Sequence, residues 1–442
     1  MAWPVRYKMI GLLFCSTVVN YIDRVNISVA APVIMKETGW DKGQFGLVFS
    51  AFLIGYALLQ IPGGVIADRW GGRKVLALAF CGFSLFTALT PLGQSTFVLL
   101  LVMRFLVGAF ESVTIPALTS LNSRWIPRSE FGRAQTLSLS GITVGQMVAY
   151  PLTTWIILHS SWPMVFYVNA VLGVVWVAAW LWYATDTPGT HPRIGQAERT
   201  HIETHLPPKP AVPLPLRAVF TSSSLLILSL SYMCFAYMGW MFLFWFPDYL
   251  VEGRGFSLGV MGAMGVAVHG AGFIGIVSGG AISDWLLRTG WSPQFARVRF
   301  PGIGVALSLP FLLGATLVPS PTMCMVLLVL FYLLFASAIA GYTTVALEFN
   351  PHLAGSIFGL INTLGSFAGI FGPMTAGFML SQSGGNWTLP FFAATAVGAV
   401  CASILFVVPI RPIRVDALVP AGVVARKVAH WNMSKRNDDS AG

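Results

Sequence analysis

Asp23 and Arg24 stand side by side in the first strongly apolar stretch of this chain, and Arg104 and Glu111 stand in the fourth. An arginine's planar fork donates two parallel hydrogen bonds to a carboxylate, so it suits the capture of an organic anion. A carboxylate in an apolar setting resists ionisation unless a cation stands near it, so the same setting suits uptake and release of a proton. On a helix, Asn20, Asp23 and Arg24 share a face through i, i+3, i+4 spacing, and Arg104, Gly108 and Glu111 do the same. Gly108 lets a neighbouring helix or a ligand approach between the two charges. A charged group at mid-bilayer costs about 2.5–3.5 kcal/mol, so four left unpaired would cost on the order of 10 kcal/mol. Two readings stay open. The charges form salt bridges that lock helices together, or they line a polar path; a gate pair can do both in different states.

The elements that position them are membrane spans. The chain has 442 residues, of which 56% are hydrophobic and only 10% charged, too little charge to cover a soluble surface. Apolar runs of about 20 residues predict twelve spans. They lie near 9–31, 45–67, 75–94, 97–120, 134–158, 162–183, 221–246, 258–282, 300–318, 322–347, 353–380 and 388–410.

The net charge of +10 reads as topology rather than as nucleic-acid binding. With the N-terminus inside, the inside loops carry Arg69, Arg73 and Lys74, then Arg124, Arg128 and Arg133, then Arg288, Arg297 and Arg299. The outside loops carry only Lys36, Lys42 and Arg254, which places both termini in the cytoplasm. The basic start at Arg6 and Lys8 imitates a secretory signal, but the apolar run is long and carries Asp23-Arg24, so it reads as a retained first helix. Cys15, Cys81, Cys234, Cys324 and Cys401 all fall in apolar spans with neither metal nor disulfide spacing. Prolines 188, 192, 207, 208, 210, 213 and 215 crowd the one long polar interruption, which reads as a linker. The division expected is a six-helix bundle over 1–183, a cytoplasmic linker over 184–220, a second bundle over 221–410, and a basic cytoplasmic tail over 411–442.

The halves echo each other. Gly63-Gly64-Val65-Ile66-Ala67-Asp68 resembles Gly279-Gly280-Ala281-Ile282-Ser283-Asp284; Gly141 and Gly145 recur as Gly365 and Gly369, and Pro151 as Pro373. Duplicated halves suit a transporter built around a midplane site. The loop Gly64-Val65-Ile66-Ala67-Asp68-Arg69-Trp70-Gly71-Gly72-Arg73-Lys74 has two glycines for a tight reversal and an acid able to meet a basic partner or a helix N-terminus. It closely resembles the most diagnostic motif of the major facilitator superfamily. Asn20-Tyr21-Ile22-Asp23-Arg24-Val25-Asn26-Ile27-Ser28 and Arg104-Phe105-Leu106-Val107-Gly108-Ala109-Phe110-Glu111 resemble the anion:cation symporter family within it. That family includes galactonate, hexuronate, glucarate, phthalate and 4-hydroxyphenylacetate permeases and vesicular organic-anion transporters. The likeness runs from about residue 10 to 410 and departs more in the second half, where Ser366 follows Asn362-Thr363-Leu364-Gly365 in place of a second asparagine.

Further candidates lie in spans five, seven, eight and eleven. Tyr237, Trp240 and Phe244 share a face in span seven, and such aromatics can pack on a sugar or ring; belt or core packing is the competing reading. Gln146 and Asn362 are amides in apolar helices, able to touch a ligand or bridge helices. Thr343 and Thr344 are expected to bond their own helix backbone, and His269 is isolated in span eight. There is no P-loop string, no catalytic triad and no zinc spacing, so neither ATP drive, an enzyme, a metal nor a cofactor is expected.

The resemblance implies an all-α membrane protein of twelve transmembrane helices in two pseudo-symmetric six-helix bundles. It implies a proton-coupled symporter that imports a small organic anion, a sugar acid or aromatic carboxylate, by alternating access across a bacterial inner membrane, as a monomer. Arg24 and Arg104 bind the carboxylate, with Tyr21, Gln146, Tyr237, Trp240 and Asn362 lining the cavity. Asp23 and Glu111 carry protons, and Asp68, Arg69, Arg73, Asp284 and Arg288 gate the cytoplasmic face. An exporter or exchanger of organic anions or drugs, of the same fold, is the alternative.

Overall fold

A computed structural model describes residues 3–127, 130–206, 222–349 and 354–409. Its helices are α1 (Val5–Thr38), α2 (Lys42–Trp70), α3 (Gly72–Leu89), α4 (Phe97–Glu111), α5 (Thr114–Trp125), α6 (Phe131–His159), α7 (Trp162–Tyr183) and α8 (Gln196–His205). In the second half come α9 (Ser223–Asp248), α10 (Leu258–Arg288), α11 (Phe300–Leu317), α12 (Pro321–Ser337), α13 (Ile339–Phe349), α14 (Ala354–Gln382) and α15 (Thr388–Val407). No strand occurs among the described residues. With α4–α5 and α12–α13 each read as one span, these helices match the twelve expected runs. Among the described residues, eleven runs are long and apolar enough to cross a membrane. The remaining one, α1, has ample length at 34 residues but is interrupted by Asn20, Asp23, Arg24 and Asn26, all buried against protein rather than turned to lipid.

The fourth and tenth spans are broken, which run length alone does not reveal. Helix α4 ends at Glu111, and α5 restarts at Thr114 with Pro116 in its first turn. A proline there removes a backbone donor and fits the start of a helix better than its middle. In the second half α12 stops at Ser337 and α13 starts at Ile339. The two breaks occupy corresponding places in the halves, so the internal echo extends to interrupted helices.

Close helix approach explains the repeated glycines. A Cβ on Gly145 of α6 would meet the Val18 carbonyl of α1 at 2.6 Å, and one on Gly369 of α14 would meet the Trp240 ring of α9 at 2.4 Å. Across the halves, α2 packs on α14, α6 on α10 and α1 on α9. These contacts run from the end of the molecule remote from the N-terminus to mid-depth. At that far end Lys42 Nζ pairs with the buried Asp248 carboxylate at 2.9 Å and lies 4.6 Å over the Trp387 ring. Deeper in, Ser50 donates to the Ile370 carbonyl, and Phe49 stacks on Phe244 at 4.8 Å.

The linker is partly structured. Helix α8 folds back on the start of α1, where Glu198 accepts from the backbone N–H groups of Val5 and Arg6, both at 3.0 Å. Arg6 also reaches Glu130 ahead of α6, at 3.1 Å, so three elements share one polar clamp. The prolines at 207–215 lie outside the described residues.

Candidate functional site

The four charges expected to act together do converge. Arg24 Nε and Nη2 both donate to Glu111 Oε2, at 3.1 and 2.9 Å. Arg24 Nη1 donates to the Tyr21 hydroxyl at 3.2 Å and Nη2 to Asn20 Oδ1 at 3.4 Å. Asn20, Tyr21 and Arg24 of α1 therefore form one hydrogen-bonded set, which Asp23, expected on the same face, does not join. Glu111 stands at the break between α4 and α5, at the last position of α4.

Asp23 takes its hydrogen bonds from other partners. Its carboxylate accepts from Asn26 Nδ2 at 3.1 Å and from Thr87 Oγ1 of α3 at 2.8 Å, and no arginine salt bridge reaches it among the described residues. Arg104 is fully buried, lies 5.0 Å over the Phe52 ring, and has no hydrogen-bond partner on any of its three nitrogens. Glu111 Oε1 also lacks a donor. A buried cation without an acceptor is a costly exception to polar satisfaction, which points to a role other than stability.

Aromatic rings enclose the arginines. Tyr21, Tyr56, Phe52 and Trp240 lie 4.5, 4.6, 5.1 and 5.5 Å from the Arg24 guanidinium carbon. Cations over such faces gain about 0.5–2 kcal/mol each where desolvated. Phe52 touches both arginines, so one ring fixes the space between two cations. Gly108 enables this: a Cβ there would meet the Phe52 carbonyl oxygen at 2.0 Å.

Other expected residues fall around this centre unevenly. Trp240 joins it from the second half and stacks on Phe244 at 5.8 Å. Tyr237 is committed to Thr375 Oγ1 at 2.7 Å. Gln146 is buried in α6. Asn362 is half-buried in α14, and its carbonyl accepts from Ser366, whose hydroxyl also reaches Gln60 of α2 at 3.5 Å. Thr343 and Thr344 bond their own helix backbone.

Of the gate candidates, Asp68 lies outside the residues whose side chains are described, and Arg69 is exposed. Arg73 is tied within the first half: its side chain donates to the Leu181 carbonyl at 2.6 Å and its N–H to Asp186 at 2.9 Å. Asp284 pairs with Arg297 at 2.7 Å, while Arg288 bonds the backbone of its own helix at 3.4 Å. Arg297 also donates to Ser283 and approaches Glu348 at 3.9 Å, joining α10 to α13. His352, expected in the loop after span ten, lies outside the described residues.

Several contacts were not foreseen: those of Asn26, Phe52, Tyr56, Thr87, Gln60, Arg297 and the Lys42–Asp248 pair. Asn26 was findable as i+3 from Asp23. Thr87 and Phe52 come from other helices, and no spacing along α1 signals them.

A family model described as Major Facilitator Superfamily matches residues 13–373. The probable sulfoacetate transporter of Cupriavidus necator is 30% identical over 413 residues, covering 92% of this chain and 94% of that protein. The probable galactarate/D-glucarate transporter of Bacillus subtilis is 30% identical, with 92% and 93% covered, and the hexuronate transporter of the same organism is 30% identical, with 92% and 95% covered. In fold, a bacterial homologue of the human lysosomal transporter Spinster superposes with a TM-score of 0.77 at 19% identity, over 92% of this chain and 98% of the other. A D-xylose–proton symporter superposes with a TM-score of 0.70 at 13% identity, over 91% and 98%.

Proposed function

The chain belongs to the major facilitator superfamily and is a multi-pass membrane transporter rather than an enzyme, and from that premise we propose that it is a proton-coupled symporter of a small organic anion. The observation that carries this reading is Arg104, a buried guanidinium with every nitrogen unpartnered. Three of the transporters it resembles are named for carboxylate-bearing anions: sulfoacetate, galactarate and glucarate, hexuronate.

Arg104 receives the substrate carboxylate first, because its fork is free. Arg24 is held by a single oxygen of Glu111, so an incoming anion competes with Glu111 for it. Displaced from its cation in a dry site, Glu111 takes a proton. Asp23, held by Thr87 and Asn26, is the second proton carrier. Tyr21, Trp240, Gln146 and Asn362 shape the cavity for the rest of the substrate. Proton and anion then cross together.

The bundles over 1–183 and 221–410 rock about this centre, joined by 184–220, with both termini cytoplasmic and the far end facing outward. Contacts between halves at the far end support a state closed on the outside. Asp68, Arg69, Arg73, Asp284 and Arg288 gate the opposite face, with Arg297 holding Asp284. A bacterial inner membrane is the setting this implies.

Proteoliposomes with an imposed pH gradient test the coupling. Wild type should accumulate a sugar acid or aromatic carboxylate against its gradient. Asp23→Asn and Glu111→Gln should retain counterflow but lose pH-driven accumulation, and Arg104→Gln should lose substrate binding. Accumulation by both acid variants as strong as wild type refutes the coupling scheme.

A further inference from the structure

His269 is fully buried in α10, at the seam where α6 of the first half packs on α10 of the second. Its Nδ1 lies 2.9 Å from the Gly265 carbonyl one turn earlier. A carbonyl only accepts, so Nδ1 carries the hydrogen and Nε2 presents a lone pair in the neutral ring. Nε2 has no partner. Around it stand Tyr150 of α6 with ring centroids 4.8 Å apart, Tyr332 of α12 at 5.0 Å and Phe246 of α9 at 6.2 Å. The Tyr150 hydroxyl and Thr154 Oγ1, on the same stretch of α6, are buried without partners as well.

The seam is tight. A Cβ on Gly265 would meet the Tyr150 ring at 2.0 Å, and one on Gly262 would meet Thr154 Oγ1 at 2.8 Å. Among the described residues no carboxylate or cation bonds the imidazole. On α9 the nearest acid in sequence, Asp248, is committed to Lys42, and Tyr237 to Thr375. Helix α6 carries ionisable side chains at its ends, Arg133 and His159, and α10 at its near end, Asp284 and Arg288; α12 has no Asp, Glu, Lys, Arg or His. Protonating Nε2 in place would thus bury an unpaired charge and a donor with no carboxylate to receive it.

We propose that His269 is a second proton-binding site, separate from the Asp23–Glu111 cluster, which takes its proton from the far face only when the seam between α6 and α10 opens. This rests on the reading that the halves rock apart at that face. The closed seam holds the neutral ring, while the open one hydrates Nε2, the Tyr150 hydroxyl and Thr154. A proton that binds only the open state must favour it, so acid on the far face shifts the population toward opening.

Hydrogen exchange of the purified, substrate-free protein tests this, with rates corrected for the intrinsic pH dependence of amide exchange. Segments 147–155 and 261–270 should exchange at least about threefold faster at pH 5.5 than at pH 8, in the range where an imidazole titrates. His269→Gln should abolish that pH response, whereas Glu111→Gln, which removes a proton site of the interior cluster, should keep it. A response that survives in His269→Gln, or is missing from wild type, overturns the proposal. Should His269→Gln disturb the seam itself, histidine-labelled NMR of wild type decides: a neutral, Nδ1-protonated His269 at pH 8 must become doubly protonated in acid, and a ring still neutral at pH 5 overturns it. Neither measurement uses substrate, so failure of the symport reading shows separately, in the uptake assays.

Discussion

At the scale of single residues, the proposed centre rests on what each guanidinium lacks. Arg24 spends two nitrogens on one oxygen of Glu111, and Arg104 spends none. Lysine in place of Arg24 keeps the charge but loses the planar fork and its stacking among four rings. Charge-assisted hydrogen bonds contribute about 1.5–3 kcal/mol each, and 1.4 kcal/mol is tenfold. Arg24→Lys should therefore lower initial uptake at least about tenfold while the protein still purifies as a folded monodisperse species. Phe52→Ala should do the same, since it removes the ring that touches both cations; radiolabelled uptake beside a thermal melt separates the site effect from unfolding. Part of this was readable beforehand: Asn20 and Arg24 share a helical face by spacing and do bond, whereas Asp23, expected on the same face, bonds Asn26 and Thr87 instead. The partners of Asp23 were only half readable. Asn26 follows by spacing within α1, but Thr87 is 64 positions away and arrives through tertiary packing.

At the scale of elements, hydropathy finds spans because the bilayer demands about 20 apolar residues, whichever helix supplies them. It does not find breaks, so the stops after Glu111 and Ser337 had to be seen. It also misses α8, whose ten residues are mostly polar and hold one buried side chain, Ile202. That helix is fixed from outside itself: Glu198 caps the N-terminus of α1, and Arg6, Tyr7 and His201 gather on Glu130. A carboxylate at a helix N-terminus is stabilised by free N–H groups and by the helix dipole, together about 1–2 kcal/mol. Glu198→Ala should consequently raise amide exchange across 196–206 by roughly tenfold, with uptake as the control for general damage. Burial would raise the Glu130 carboxyl, but hydrogen bonds and charge from Arg6, with Tyr7 and His201, outweigh it and hold it below its ordinary 4.5. A depressed carboxylate stabilises the folded clamp above that ordinary value and stops doing so as pH falls through its own lower one. The clamp should hold at neutral pH and loosen only in strong acid, which the same exchange measurement reads.

At the scale of the whole molecule, the proposed alternating access needs the halves to meet reversibly, and the far end holds one such contact. Asp248 is fully buried, while Lys42 keeps about a fifth of its side chain in contact with solvent. The pair crosses the halves, with Trp387 beneath the ammonium and Gly43 of α2 close against Ser381 of α14. One partner is thus accessible enough to be released, unlike a fully sealed ion pair. Asp248→Asn preserves shape and removes the charge, so Lys42 loses its partner in the closed state but loses little in an open, hydrated one. A charge-assisted bond of about 1.5–3 kcal/mol lost from one state alone shifts the population by roughly 10- to 150-fold toward the other. A cysteine at position 381, made as Ser381→Cys, faces Gly43 and should react slowly with a membrane-impermeant maleimide. In the Asp248→Asn background it should react at least about tenfold faster, after subtracting labelling of the five native cysteines. An unchanged rate would mean that packing of Phe49 on Phe244 and of α6 on α10 closes this end without help from the ion pair.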